Sequence, residues 1–129
     1  MESKKQKLVI VLRSDLKNTE GQKVRTGKLI GQAIHAAVDA IVDETLINTR
    51  EAAHAWLSDG LSRVVVLKVN SESELVDIYN TACSNGLAAT MINDHGFTEF
   101  GGQHTLTSLA IGPDDADTLD KVTGHLSLF

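Results

Sequence analysis

Apolar residues along this chain come in short unbroken runs, separated by stretches with helical spacing. Lys7 to Leu12 reads Lys-Leu-Val-Ile-Val-Leu, a continuous β-branched run of the kind buried on both faces of a sheet. Arg63 to Val69 is a second such run, and Leu87 to Ile92 and Thr105 to Ile111 are a third and a fourth. Gly27 to about Glu44 has the periodicity of a helix. Asn48 to Leu57 predicts a second, with Thr49 as its cap, Glu51 early in it and Gly60 as its stop. Ser71 and Glu74 form a capping-box pair that opens a third helix, and Asn85-Gly86 closes it. Gly112-Pro113 is expected to break the fourth strand ahead of a short acidic helix from Asp114 to Thr123. Two polar stretches remain. Asp15 to Thr26 reads as a loop around Gly21, and Asn93 to His104 as a Gly-rich hairpin loop at the carboxyl end of the third strand. Strands that alternate with helices, and that need cover on both faces, predict a three-layer α/β fold. Ligands of open α/β sheets usually bind at the carboxyl edge, which directs attention to the second polar stretch.

The first helix carries the most chemistry. Lys28, Gln32, His35 and Asp39 are spaced four, three and four apart, so they share one face. The opposite arc holds Leu29, Ile30, Ala33, Ile34, Ala37, Val38 and Ile41, an apolar stripe expected to pack on the sheet. Gly27 precedes the helix, so Lys28 falls in the first turn, where the dipole disfavours a cation. A lysine there makes sense if an anion such as a phosphate is bound at the helix start. The plainer reading of the same face is that it is simply solvated. His35 is open to two readings, a proton acceptor titrating near neutrality or a surface residue paired with Asp39 at i+4.

Composition narrows the classes. The 129 residues fit one domain, 1–129, and 42% apolar with 22% charged residues is typical of a soluble globular chain. No apolar run approaches a membrane span, and Leu8 to Leu12 is too short for a signal-peptide core. A single cysteine, Cys83, excludes an internal disulfide and a multi-cysteine metal site, and is expected to be a small buried side chain. Cytosol is the default compartment. His35, His54, His95 and His104 show no metal-ligand spacing with Cys83. Trp56 is expected to pack in the core, and His125 to bond backbone near the sheet edge. The net charge of −5 is uneven: residues 1–28 hold eight basic and three acidic groups (+5), and the rest hold four and fourteen (−10). A basic segment on an acidic chain points to a confined polyanion site rather than general stickiness.

Several strings then converge in order. They are Leu-Val-Ile-Val-Leu-Arg-Ser-Asp-Leu at 8–16, Gly-Lys-Leu-Ile-Gly-Gln-Ala-Ile-His-Ala-Ala at 27–37 and Ile-Asn-Asp-His-Gly-Phe-Thr at 92–98. Leu-Ala-Ile-Gly-Pro at 109–113 and Asp-Lys-Val-Thr-Gly-His-Leu-Ser-Leu-Phe at 120–129 complete the set. The set closely resembles the class II, archaeal and eukaryotic type of peptidyl-tRNA hydrolase over nearly the whole chain. The resemblance implies a small mixed four-stranded sheet with helices on both sides, often in a homodimer. It also implies hydrolysis of the ester between a peptide and the terminal ribose of tRNA, with no metal or organic cofactor. By position it carries site roles onto Lys28, Gln32, His35, Asp94, Thr98, Thr105 and Thr107. The sequence departs from the family pattern near that site. Thr26, preceded by Arg25, stands where a lysine is usual, Ala33 follows the glutamine, His95 replaces a common alanine, and Phe97-Thr98-Glu99 replaces Arg-Thr-Gln.

Ester hydrolysis needs an attacking water, a proton acceptor, a stabilised oxyanion and a hold on the substrate. Asp94 and His35 are the candidate acceptors, and the residues alone leave both open. Lys28 or Arg25 can face the oxyanion or a phosphate, and Thr98 can bond Asp94 or the ribose. Lys17, Lys23 and Arg25, with Gln32, Thr105 and Thr107, are the candidate substrate contacts, and acceptor-end binding should be salt-sensitive. Each has a plainer role: Asp94 can cap a turn through the amide of Gly96, and the threonines suit strands regardless. Two rivals stand beside the hydrolase. One is an RNA- or protein-binding module of the same fold with weakened turnover; the other is a hydrolase of another small ester or amide.

Overall fold

The computed structural model describes residues 5–42, 47–59 and 61–129. Its strands are β1 (Gln6–Arg13), β2 (Arg63–Val69), β3 (Ala89–Asp94) and β4 (Thr105–Asp115). Its helices are α1 (Thr26–Val42), α2 (Ile47–Ser58), α3 (Glu72–Ser84) and α4 (Ala116–Thr123). The four strands form one mixed sheet in the order β2-β1-β4-β3. β2 runs parallel to β1, and β4 runs antiparallel to both β1 and β3. The runs of β1 have no polar alternation because both faces are covered. Val9 and Val11 face a core built with Leu67, Leu109, Leu75 and Leu119, under α3 and α4. Leu8, Ile10 and Leu12 face a second core with Ala36, Ala40 and Trp56, under α1 and α2. Each such side chain contributes roughly 1.5–3 kcal/mol on burial. The result is the expected three-layer α/β/α arrangement.

Local signals explain most boundaries. The Ser71 hydroxyl accepts from the Glu74 amide at 3.1 Å, while the Glu74 carboxylate accepts from the amide of Asn70 at 3.0 Å, one residue before the box pattern places it. Asn85 caps the far end of α3. Thr49 is not the cap of α2, which begins two residues earlier at Ile47. Gly60 and the expected end of α1 near Glu44 lie outside the described residues.

Gly112-Pro113 does not end β4. The strand continues to Asp115 because the register slips there: Lys7 pairs with Asp114 and Val9 with Ile111, three residues of β4 against two of β1. A bulge removes the need for the proline to donate to the ladder. A second slip, between Ile92 and Asn93, gives β4 an extra residue at Thr107. Ordinary alternation would turn Thr107 and Ser108 to opposite faces. Here both hydroxyls reach α1.

Three further expectations need correction. The apolar arc of α1 does not pack on the sheet as a whole. Of that arc Leu29 is buried and Ala33, Ala37 and Ile41 pack half-buried on the core beside Ala36 and Ala40, whereas Ile30, Ile34 and Val38 are exposed, as is Val42. Ala36 and Ala40 let the helix lie close to the strands, and Ile30, Ile34 and Val38 are left outside. Cys83 is exposed rather than buried. At the C-terminus, the sheet-edge bonds among the described residues are made by backbone groups rather than by the His125 side chain. Ser127 accepts from the amide of Lys68 at 3.0 Å, and the amide of Phe129 donates to Val66 at 3.0 Å, which covers the open edge of β2.

Candidate active site

The carboxyl ends of β1 and β3 open on the same edge of the sheet, and the first turn of α1 lies across them. Lys28 projects from that turn. Its ammonium donates to both oxygens of Asp94, at 3.3 and 3.2 Å, and to the hydroxyl of Thr98 at 2.7 Å. It also lies 5.4 Å from the centre of the Phe100 ring. The Lys28 and Asp94 side chains are only 13% and 17% exposed, so the pair is largely shielded from solvent screening. Asp94 also accepts from the Gly96 amide at 3.2 Å. It caps the turn and holds the lysine at once.

A different anion from the one expected stands at the helix start. The Glu99 carboxylate accepts from the Arg25 amide at 3.3 Å, and the Arg25 guanidinium donates to the same carboxylate. The hydrogen bond from Arg25 holds the Glu99 carboxyl below its ordinary value. The protein thus supplies Asp94 and Glu99 where the sequence alone pointed to a bound phosphate. Lys28 has three N–H donors and three acceptors within the chain. Thr98 spends its oxygen on Lys28, so its own proton is left for another acceptor.

The other expected residues divide by position. Gln32 is buried beside this cluster and its side-chain oxygen accepts from Thr107, while Ser108 donates to the Gln32 backbone at 3.0 Å. Thr107 has no exposed surface. As a direct substrate contact it is therefore corrected: the bulge turns its hydroxyl inward, where it ties β4 to α1. His35 is exposed, with Nε2 3.6 Å from Asp39 Oδ2, which is the i+4 surface pair. Lys17 and Lys23 are exposed and face each other across an isolated bridge in the 14–25 loop. Leu16 and Val24 anchor that loop by packing on Leu29 and Phe100.

A cleft of about 540 Å³ adjoins the cluster through Phe100, and Lys17, Gln103 and Thr105 line it. Arg13 and Asp15, which sequence reasoning did not single out, form its wall. The Arg13 guanidinium donates to both Asp15 oxygens, at 3.0 and 2.7 Å, and to the carbonyl of Leu106 at 3.0 Å. This bonding lowers the Asp15 carboxyl below its usual value. The available signal was an Arg-x-Asp pair directly after a buried strand.

Fold and cluster together define a class: a small three-layer α/β protein with a lysine-clamped carboxylate and a hydroxyl at the carboxyl edge of its sheet. The family model described as peptidyl-tRNA hydrolase PTH2 matches residues 6–129, and the chain belongs to that family. Its relatives include the peptidyl-tRNA hydrolase of Methanocaldococcus jannaschii, 45% identical over 95% of this chain and 98% of the relative. The peptidyl-tRNA hydrolase of Thermoplasma acidophilum is 34% identical over 95% of this chain and 97% of that protein. That of Nanoarchaeum equitans is 38% identical over 80% of this chain and 87% of the relative. No helix among the described residues is long and apolar enough to cross a membrane.

Proposed function

We infer that this chain is a peptidyl-tRNA hydrolase, an enzyme that cleaves the ester joining a peptide to the terminal ribose of tRNA. Family membership supports the reaction. One observation supports its site: a single ammonium, Lys28 Nζ, joins the Asp94 carboxylate and the Thr98 hydroxyl. In this reading Asp94 orients a water and accepts its proton as the water oxygen bonds to the ester carbonyl carbon. Thr98, polarised by Lys28, donates its hydroxyl proton as a hydrogen bond to the developing oxyanion. When the carbon–oxygen bond to the ribose breaks, the proton held by Asp94 passes to the ribose oxygen. The products are the free peptide acid and tRNA with its hydroxyl restored. Gln32 and Thr107 act as positioning residues that fix α1, and hence Lys28, against the sheet. The acceptor end lies along the cleft, with Lys17, Lys23 and Thr105 as its polar contacts and Arg25 at the rim.

Residues 1–129 act as one domain in this proposal, in the cytoplasm and as a homodimer. The exposed stripe of Ile30, Ile34, Val38 and Val42 on α1 supports pairing with a second copy. The assay is release of N-acetylaminoacyl groups from tRNA. Wild-type release that is lost in Asp94→Asn, with the fold intact by circular dichroism, supports the hydrolase. Binding of the tRNA without release overturns it in favour of a binding module; neither binding nor release favours a different ester or amide.

A further inference from the structure

Phe97 is 90% exposed, more than any other large apolar side chain among the described residues. An aromatic ring left in water forgoes a large burial term, so its placement needs a reason. The chain around it is not loose. Gly96, with φ +84°, approaches the backbone of Gln103 so closely that a Cβ there would stand 2.2 Å from the Gln103 carbonyl oxygen. The Gly102 amide donates to the Gly96 carbonyl at 2.7 Å, and the Phe100 amide to Thr98 at 2.8 Å. The pinched loop therefore holds Phe97 outward while Gly96 and Phe100 on either side are buried.

The ring also has company. The His95 ring stacks beside it, with planes 23° apart and centres 6.1 Å apart. The His104 ring meets His95 edge-on at 4.8 Å. These three rings form a short ladder whose open end is Phe97. Residues 95–97 lie between Asp94 and Thr98, the two groups bridged by Lys28.

We propose that Phe97 and His95 form a stacking platform for an unpaired base at the acceptor end of the tRNA, the terminal base or its neighbour. This inference rests on the hydrolase reading above. A base suits the platform because every nucleobase offers a flat π face, and stacking on aromatic side chains is sequence-tolerant. A protein surface suits it poorly. In the 94–104 loop Phe97 is the one exposed large apolar side chain, flanked in sequence by His95, Gly96, Thr98 and Glu99, so the loop offers no apolar run for a protein partner. Lys23, exposed on the loop that Arg25 ties to Glu99, provides positive charge for the linking phosphates. The platform fixes the terminal nucleotide, and with it the ester, in front of Asp94.

The test uses a minihelix RNA carrying an N-acetylaminoacyl ester, with its two terminal bases present or both removed as abasic nucleotides. Phe97→Ala should lower kcat/KM on the intact RNA about tenfold, within the range expected for one lost stacking contact. Phe97→Trp should restore it, and removing the bases should abolish the difference between wild type and Phe97→Ala. An effect under twofold on the intact RNA overturns the platform. So does an equal loss on both RNAs, which would assign the ring to the peptide. Two uncharged RNAs, with 2-aminopurine at the terminal or at the penultimate position, read the stack without turnover: fluorescence of at least one should fall with wild type and not with Phe97→Ala. No change of either with wild type overturns the proposal. Asp94→Asn separates the two readings. If it still turns over like wild type, the Asp94 mechanism fails while the 2-aminopurine result still judges the platform.

Discussion

The two ends of one helix face behave differently. Lys28, Gln32, His35 and Asp39 share a side of α1 by spacing, and nothing in their order separates the first pair from the second. In three dimensions Lys28 is wired to β3 and its loop, and Gln32 to β4. His35 and Asp39 pair only weakly with each other, and their side chains are 58% and 44% exposed. The sheet ends, and its bulge turns inward, beneath the first two turns of α1 alone. Shared helical phase therefore identifies residues that point the same way, but not residues that meet the same neighbours.

The largest test of this difference is catalytic. Asp94→Asn should lower kcat by about 10²–10⁴-fold, the usual worth of a positioned proton acceptor. His35→Ala should stay within about threefold, a bound we set from its exposure and its absence from the cluster. A collapse in His35→Ala would break the comparison, since the exposed end would then share the chemistry. Stability gives the next test. Thr107→Val keeps the shape but leaves the Gln32 oxygen buried without its donor, which should cost about 1–3 kcal/mol in urea unfolding. Asp39→Asn removes only a surface partner and should change stability by less than about 0.5 kcal/mol.

Titration sharpens the contrast further. Asp15 and Glu99 both have lowered carboxyl values, each through hydrogen bonding to an arginine. A lowered carboxyl stabilises the fold fully above the ordinary carboxylate range, and that contribution is lost as pH falls through the lowered value. Acid unfolding followed by circular dichroism should therefore begin earlier in Asp15→Asn and Glu99→Gln at mildly acidic pH, and their curves should approach wild type at the acid extreme. The smallest effect expected is on assembly. Ile34→Glu on the outward face of α1 should abolish the proposed pairing, so that wild type sediments as a dimer and the variant as a monomer; equal sedimentation of the two overturns that pairing.

Much was legible in the chain before its folding was known. Unbroken β-branched runs dictate strands with both faces covered, and the Ser71 and Asn85-Gly86 signals bracket α3 because capping is local hydrogen bonding. Asp94 and the helix-start lysine were visible as polar groups at the ends of apolar segments. Other features were hidden because their causes are nonlocal. The two slips of β4 depend on what β1 and β3 offer opposite it, so neither the survival of the strand through Pro113 nor the inward turn of Thr107 shows in the string. Arg13 reads as the end of a strand until the Leu106 carbonyl is brought beside it. The same holds for the anion at the helix start: the lysine's place in the first turn suited either a bound anion or plain solvation, and only the return of the 94–104 loop decided that Asp94 and Glu99 would stand there. Local bonding and periodicity belong to neighbours in sequence, whereas burial and ion pairing belong to neighbours in space.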